Sequence, residues 1–130
     1  MEKKDIQTLD DIKLLVNTFY GKVQQDELIG PIFQEKIQDR WPAHLEKMYT
    51  FWQTMLLDQH TYTGRPFPPH AQLAITATHF ERWLTIFHDT IADLFEGPLA
   101  VEAAARGSKM AALFQIKLDH IRQSPFRPLL

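Results

Sequence analysis

Apolar residues fall on one helical face in three long stretches of this chain, and that spacing limits its possible folds more than any other feature. Phe80, Trp83, Leu84, Phe87, Ile91, Leu94 and Phe95 sit at offsets 0, 3, 4, 7, 11, 14 and 15, the period of a helix with one buried stripe. Ile12, Leu15, Val16, Phe19, Tyr20 and Val23 do the same near the start, and Trp41, Leu45, Met48, Trp52, Met55 and Leu56 form a broader stripe around Pro42. Thr8 followed by Asp11 predicts a capped start near residue 9, and Thr78 followed by Glu81 predicts a second, because the paired side chains satisfy amides that the first helical turn leaves free. Gly97-Pro98 predicts a stop and a fresh start. The helix after it would bury a small-residue face of Val101, Ala104, Ala105, Ser108 and Ala112, continuing to Leu118. Gly30-Pro31 predicts a corner or short helical turn over Leu28–Phe33. No stretch alternates with period two and no segment repeats, so the fold class expected is all-α.

Composition narrows the function. With 130 residues and no cysteine, the chain has the size of a single domain, residues 1–130, and no disulfide framework, thiol nucleophile or thiolate metal site. The last residues, 121–130, are expected to fray. Fourteen basic residues stand against sixteen acidic ones along the chain, without the positive stripe that nucleic-acid binding uses. Pro66 to Phe80 is the longest uncharged stretch and carries three prolines, so no membrane span is expected and a cytoplasmic location follows by default.

The six histidines, His44, His60, His70, His79, His88 and His120, are the side chains that combine ligand character with titration near neutrality. No H-x-x-x-H, HExxH or Glu-x-x-His occurs, and phosphate-binding glycine loops and GxSxG are also missing, so no catalytic residue is named. Asp58 to Pro69 is a loop about a dozen residues long, a length that usually marks function or disorder. Tyr62 and Phe67 within it argue for function. His70 follows the stiff Pro68-Pro69 pair, where its ring can be aimed inward. One neutral imidazole nitrogen can serve alone as axial ligand to haem iron, and the large aromatic and thioether side chains suit a flat apolar cleft. Tyr20 and Trp83 carry O–H and N–H groups on apolar stripes and need partners there. His44 and Met48 lie one turn apart on a face shared with Trp52. The same residues also fit a cofactor-free helical interaction module, with His70 an incidental loop histidine and the aromatics ordinary core.

The chain resembles the truncated haemoglobins, and their third class in particular, over nearly its whole length. Phe19-Tyr20-Gly-Lys-Val, Leu28-Ile-Gly-Pro-Ile-Phe33, His44-Leu-Glu-Lys-Met48, Phe51-Trp52-Gln-Thr-Met-Leu-Leu57, Tyr62-Thr-Gly-Arg-Pro-Phe-Pro-Pro-His70 and Phe80-Glu-Arg-Trp83-Leu carry the resemblance. The lack of Gly-Gly favours the third class. The resemblance implies a two-over-two helical sandwich around haem b, with His70 as the proximal iron ligand and Tyr20, Trp83 and His44 on the distal side. It further implies haem-wall contacts from Phe33, Met48, Phe51, Trp52 and Phe67, with Arg65, Lys47 or His79 meeting the propionates. Expected partners are dioxygen or other diatomic ligands and an electron-donating reductase, and redox chemistry on nitric oxide or peroxide would be the enzymatic extension. His79 stands as an alternative to His70, being a second imidazole close by in sequence.

Overall fold

The computed structural model describes residues 2–71 and 73–123. Five helices account for most of them: α1 (Leu9–Gln25), α2 (Gly30–Ile37), α3 (Trp41–Leu57), α4 (Ala77–Leu94) and α5 (Pro98–Gln123). Among the described residues there is no strand, and the one bridge of that type joins Lys4 to Phe95. The α1–α3 pair lies against the α4–α5 pair, with α2 packed on α1. This is an all-α, two-over-two arrangement.

Side chains satisfy free amides at the starts of α1 and α5, whereas α2 and α3 carry no side-chain cap. In α1 the Thr8 side chain accepts from the Asp11 amide at 3.3 Å while the Asp11 carboxylate accepts from Thr8 and Gln7 at 3.1 and 2.9 Å. Asp11 is buried. Burial pushes its pKa up, yet hydrogen bonds from Gln7, Lys4 and Thr8 and the Lys4 charge together hold it below the usual carboxylate value. In α5 the first free amides are met from across the chain, since Asp5 accepts from Leu99 at 3.0 Å and Ala100 at 2.9 Å. Gly97 makes this approach possible, with φ at 133° and a Cβ-free surface facing the Asp5 side chain.

Four expectations need correction. The α4 start is capped by Thr76, not Thr78, and His79 takes the place of the expected glutamate by accepting from the Thr76 amide at 2.9 Å. Leu28–Phe33 is not a mere corner, because α2 runs on to Ile37. The buried face of α5 is Ala100, Ala103, Gly107, Ala111, Phe114 and Leu118, while Val101 is 68% exposed. Phe114 and Leu118 set this register, because their large apolar surfaces outweigh any choice among alanines. Residues 121–123 continue α5, so fraying does not begin at 121; the rest of the expected tail, 124–130, lies outside the described residues.

The core is aromatic where α4 crosses α1, α3 and α5. Phe87, almost fully buried, stacks between Trp83 and Trp52 with ring centroids 5.1 Å from each. Phe19 meets Phe87 and Trp83 edge-on at 5.2 and 5.4 Å. Gly107 permits this packing, since a Cβ there would stand 2.8 Å from the Phe87 ring.

Candidate functional site

A cavity of about 440 Å³ opens beside this aromatic stack, within the size range of small-molecule and cofactor sites. Phe19 and Tyr20 from α1, Phe33 from α2, and His44, Met48, Phe51 and Trp52 from α3 line it, together with Trp83 from α4 and Phe114 from α5. Arg65 and His70 come to it from the loop. The structure thus brings together Tyr20, Phe33, His44, Met48, Phe51, Trp52, Arg65, His70 and Trp83, which come from five separate parts of the sequence. Lys47 and His79 also line it. Phe67 does not, being packed edge-on against Phe114 at 5.3 Å with the Lys117 ammonium over its ring.

The loop delivers His70 by polar tethers at one end and proline stiffness at the other. At its start the Thr54 hydroxyl donates to the Thr50 carbonyl at 2.8 Å and accepts from the Thr61 and Tyr62 amides at 3.1 and 3.0 Å. Tyr62 then packs edge-on against Phe51 at 5.2 Å. At its end Pro68–His70 form one turn of 3₁₀ helix, favoured because proline fixes φ near the required value. The His70 ring rests 4.9 Å from that of Phe114.

Hydrogen bonding separates the two candidate imidazoles. His70 Nδ1 lies 2.7 Å from the Pro66 carbonyl oxygen. A carbonyl only accepts, so Nδ1 carries the proton and Nε2 keeps a free lone pair, the form a metal ligand requires. In His79 the assignment is reversed. Its Nδ1 accepts from the Thr76 amide, so the neutral ring carries its proton on Nε2 and offers a donor. His70 is the ligand-ready histidine, and His79 is a capping residue with a donor to spare. Burial pushes the His70 pKa below its ordinary value, which keeps it neutral and suited to coordination.

A second group of polar atoms borders the cavity without partners of its own. His44 Nε2 is buried and makes no hydrogen bond among the described residues. Burial above all, then the charges of Lys47 and His70, push the His44 pKa down to about 4, so its imidazole is neutral near pH 7. Tyr20 is buried beside it, and burial raises the phenol pKa well beyond its ordinary value, leaving an O–H donor at all physiological pH. A buried polar atom left unsatisfied costs about 1–3 kcal/mol.

The rim adds two cations, Lys36 and Arg40, to the Lys47 and Arg65 expected from the sequence. Lys36, Arg40, Lys47 and Arg65 line the cavity, no carboxylate does so among the described residues, and none of the four is ion-paired there. An apolar slot with a cationic edge fits an apolar disc bearing carboxylates. Lys36, Arg40 and Lys47 follow one another at helix-like intervals, but the break between α2 and α3 hides that spacing from a periodicity search. Ile29, Ile37 and Met110 also line the slot, and in sequence they read only as core. No three His, Asp or Glu side chains converge to cage a bare ion among the described residues. No described helix is long and apolar enough to cross a membrane.

A two-over-two helical sandwich with a loop-borne imidazole facing an apolar slot is the architecture of a shortened globin, and comparison with known proteins agrees. A family model described as bacterial-like globin matches residues 5–115. A group 3 truncated hemoglobin of Campylobacter jejuni subsp. jejuni is 31% identical over 110 residues, covering 82% of this chain and 87% of that protein. The crystal structure of group III truncated hemoglobin from Campylobacter jejuni matches with a TM-score of 0.81 at 30% identity, over 90% of this chain and 95% of that one. The chain belongs to the bacterial-like globin family, in the third group of truncated haemoglobins.

Proposed function

We propose that this globin binds haem b in the cavity and holds diatomic ligands there. The observation that carries the reading is the tautomer of His70, whose Nδ1 is committed to the Pro66 carbonyl at 2.7 Å and whose Nε2 is free to ligate. Haem, when bound, supplies an iron whose sixth position takes dioxygen and other diatomic molecules.

The protein's own part is to hold, orient and shield. His70 would anchor the metal. Phe33, Met48, Phe51 and Trp52 would exclude water from the faces of the ring, since all four line the slot. Lys47 and Arg65 would meet the propionates by charge, with the His79 Nε2–H as a further donor. Tyr20 O–H and Trp83 N–H would donate to a diatomic ligand, and His44 would stand beside them as a neutral ring. Donors fixed before the ligand arrives stabilise charge that develops on it, and such a set suits retention or activation better than release. Redox turnover of nitric oxide or peroxide, fed by an electron-donating reductase in the cytoplasm, is the extension that this distal chemistry supports. A cofactor-free interaction module does not account for the carboxylate-free cationic rim.

Absorption spectroscopy tests the reading directly. Protein expressed with ample haem is expected to show a Soret band at one haem per chain, and His70→Ala to weaken or shift it strongly. Colourless, folded protein that takes up no added haem would overturn the proposal. Tyr20→Phe and Trp83→Phe should each speed ligand dissociation about 3–10-fold, the worth of one hydrogen bond, while haem stays bound. Unchanged rates in both would remove the distal assignment.

A further inference from the structure

We propose that Trp41 is a positioning residue, a wedge behind Tyr20 and His44 that keeps the His44 imidazole turned into the cavity. Trp41 opens α3 and precedes His44 by three residues, so the two side chains share one helical face. Its indole meets Tyr20 edge-on at 5.8 Å and His44 edge-on at 5.8 Å, while Tyr20 and His44 meet each other at 5.1 Å. The three rings form a closed triangle. Trp41 itself is not among the residues lining the cavity, so it acts only through the two that are.

Two further observations give the wedge its purpose. The His44 ring makes no hydrogen bond through Nε2 among the described residues, and rotation about its last side-chain bond is soft; packing must therefore set its orientation. The wedge in turn is anchored, because the indole N–H donates to Gln34 Oε1 of α2 at 3.2 Å. That bond spans the α2–α3 turn, where Gln38 sits at φ 57° and ψ −118°, a conformation unfavourable to a residue with a Cβ that persists only when the surroundings enforce it. The Gln34–Trp41 clasp is one such enforcing contact, linking the turn's geometry to the ring at its far end.

What His44 is held in place for rests on the haem reading above, but the placement itself belongs to this chain and is measurable without haem. In cofactor-free protein, nuclear magnetic resonance titration should find the His44 imidazole near 4. Trp41→Ala admits water and should move it toward the ordinary value of about 6.5; Trp41→Phe keeps both ring edges and should hold it low. In the haem-loaded protein, Trp41→Ala should change carbon monoxide dissociation about 3-fold or more in the same direction as His44→Leu. Added to His44→Leu, it should change nothing further, the signature of two residues acting as one unit. An unmoved titration in Trp41→Ala, or effects that simply add, would overturn the proposal. Should Trp41→Ala fail to fold, Gln34→Ala removes only the exposed anchor and is expected to shift both readouts the same way by a smaller amount; no shift there would equally reject it. If wild-type protein takes up no haem, the haem reading fails while the titration still decides the role of Trp41.

Discussion

The two walls of the cavity are built in different ways. One is helix on helix: Tyr20, His44 and Trp83 stand on α1, α3 and α4, with Trp83 in the stack of aromatic rings about Phe87, Tyr20 joined to that stack through Phe19, and His44 packed on Tyr20. The other is a loop held by a few side-chain hydrogen bonds and three prolines, with His70 on a single 3₁₀ turn. Packing positions the first wall and backbone stiffness the second. A strain in the core should therefore displace the donors, whereas a cut tether should free the ligand histidine and leave the core intact.

The hardest way to break that contrast is Phe87→Ala. It removes the centre of the ring stack and should cost about 3–5 kcal/mol of stability in chemical denaturation, with Trp52 and Trp83 fluorescence altered in the folded protein. Gly107→Ala overfills the same place, since the new Cβ would lie 2.8 Å from Phe87; about 1–3 kcal/mol should be lost, with faster ligand dissociation as Trp83 moves.

Acid separates the histidines of both walls from the amide-bound carboxylates. The folded-state pKa of His44 is lowered to about 4 against about 6.5 unfolded, so the unfolded chain takes up the proton first. Stability from this group is full above about pH 6.5 and is lost as pH falls from there toward 4, by about 1–2 kcal/mol once solvent screening is allowed for. His70 shifts in the same direction. The helix-capping carboxylates Asp5 and Asp11, and Asp26, which accepts from the Leu28 and Ile29 amides and pairs with Arg82, are lowered instead, and their contribution disappears only as pH falls below about 4. Cofactor-free protein should thus lose stability in two steps, and His44→Leu should flatten the upper one. A single acid transition unchanged in that variant would contradict the assignment.

The smallest global effect is expected for Thr54→Val. Losing one hydroxyl that serves two loop amides should cost about 0.5–1.5 kcal/mol, yet exchange at the Thr61 and Tyr62 amides should quicken markedly while α4 amides keep their protection. If the α4 amides quicken equally, the loop is not the separate unit described here.

How far the sequence discloses this molecule follows the same divide. The α1 stripe and its Thr8–Asp11 cap are readable because side-chain spacing and capping chemistry are local. The α4 cap is misread by two residues, because a histidine in the glutamate's place does not announce itself. The α5 face is misread because alanines occupy several faces at once and only Phe114 and Leu118 break the tie. His70, Tyr20, His44 and Trp83 are legible as chemistry that needs partners, although nothing local states that they meet; the family resemblance supplies that. Phe67 has the right character for a wall residue and the wrong direction, since which way a loop side chain turns depends on what α5 offers it. Lys36 and Arg40 pass unnoticed because their shared edge exists only after two helices have been set end to end.

The carboxylate of Asp5 reaches 94 and 95 residues along the chain to the amides of Leu99 and Ala100. Because Asp5 is synthesised well before Leu99 and Ala100, this contact can close only once the start of α5 has been made. Such a closure ties the segment before α1 to the α4–α5 corner, and unfastening it is expected to expose the buried Ile6 and the start of α5 together.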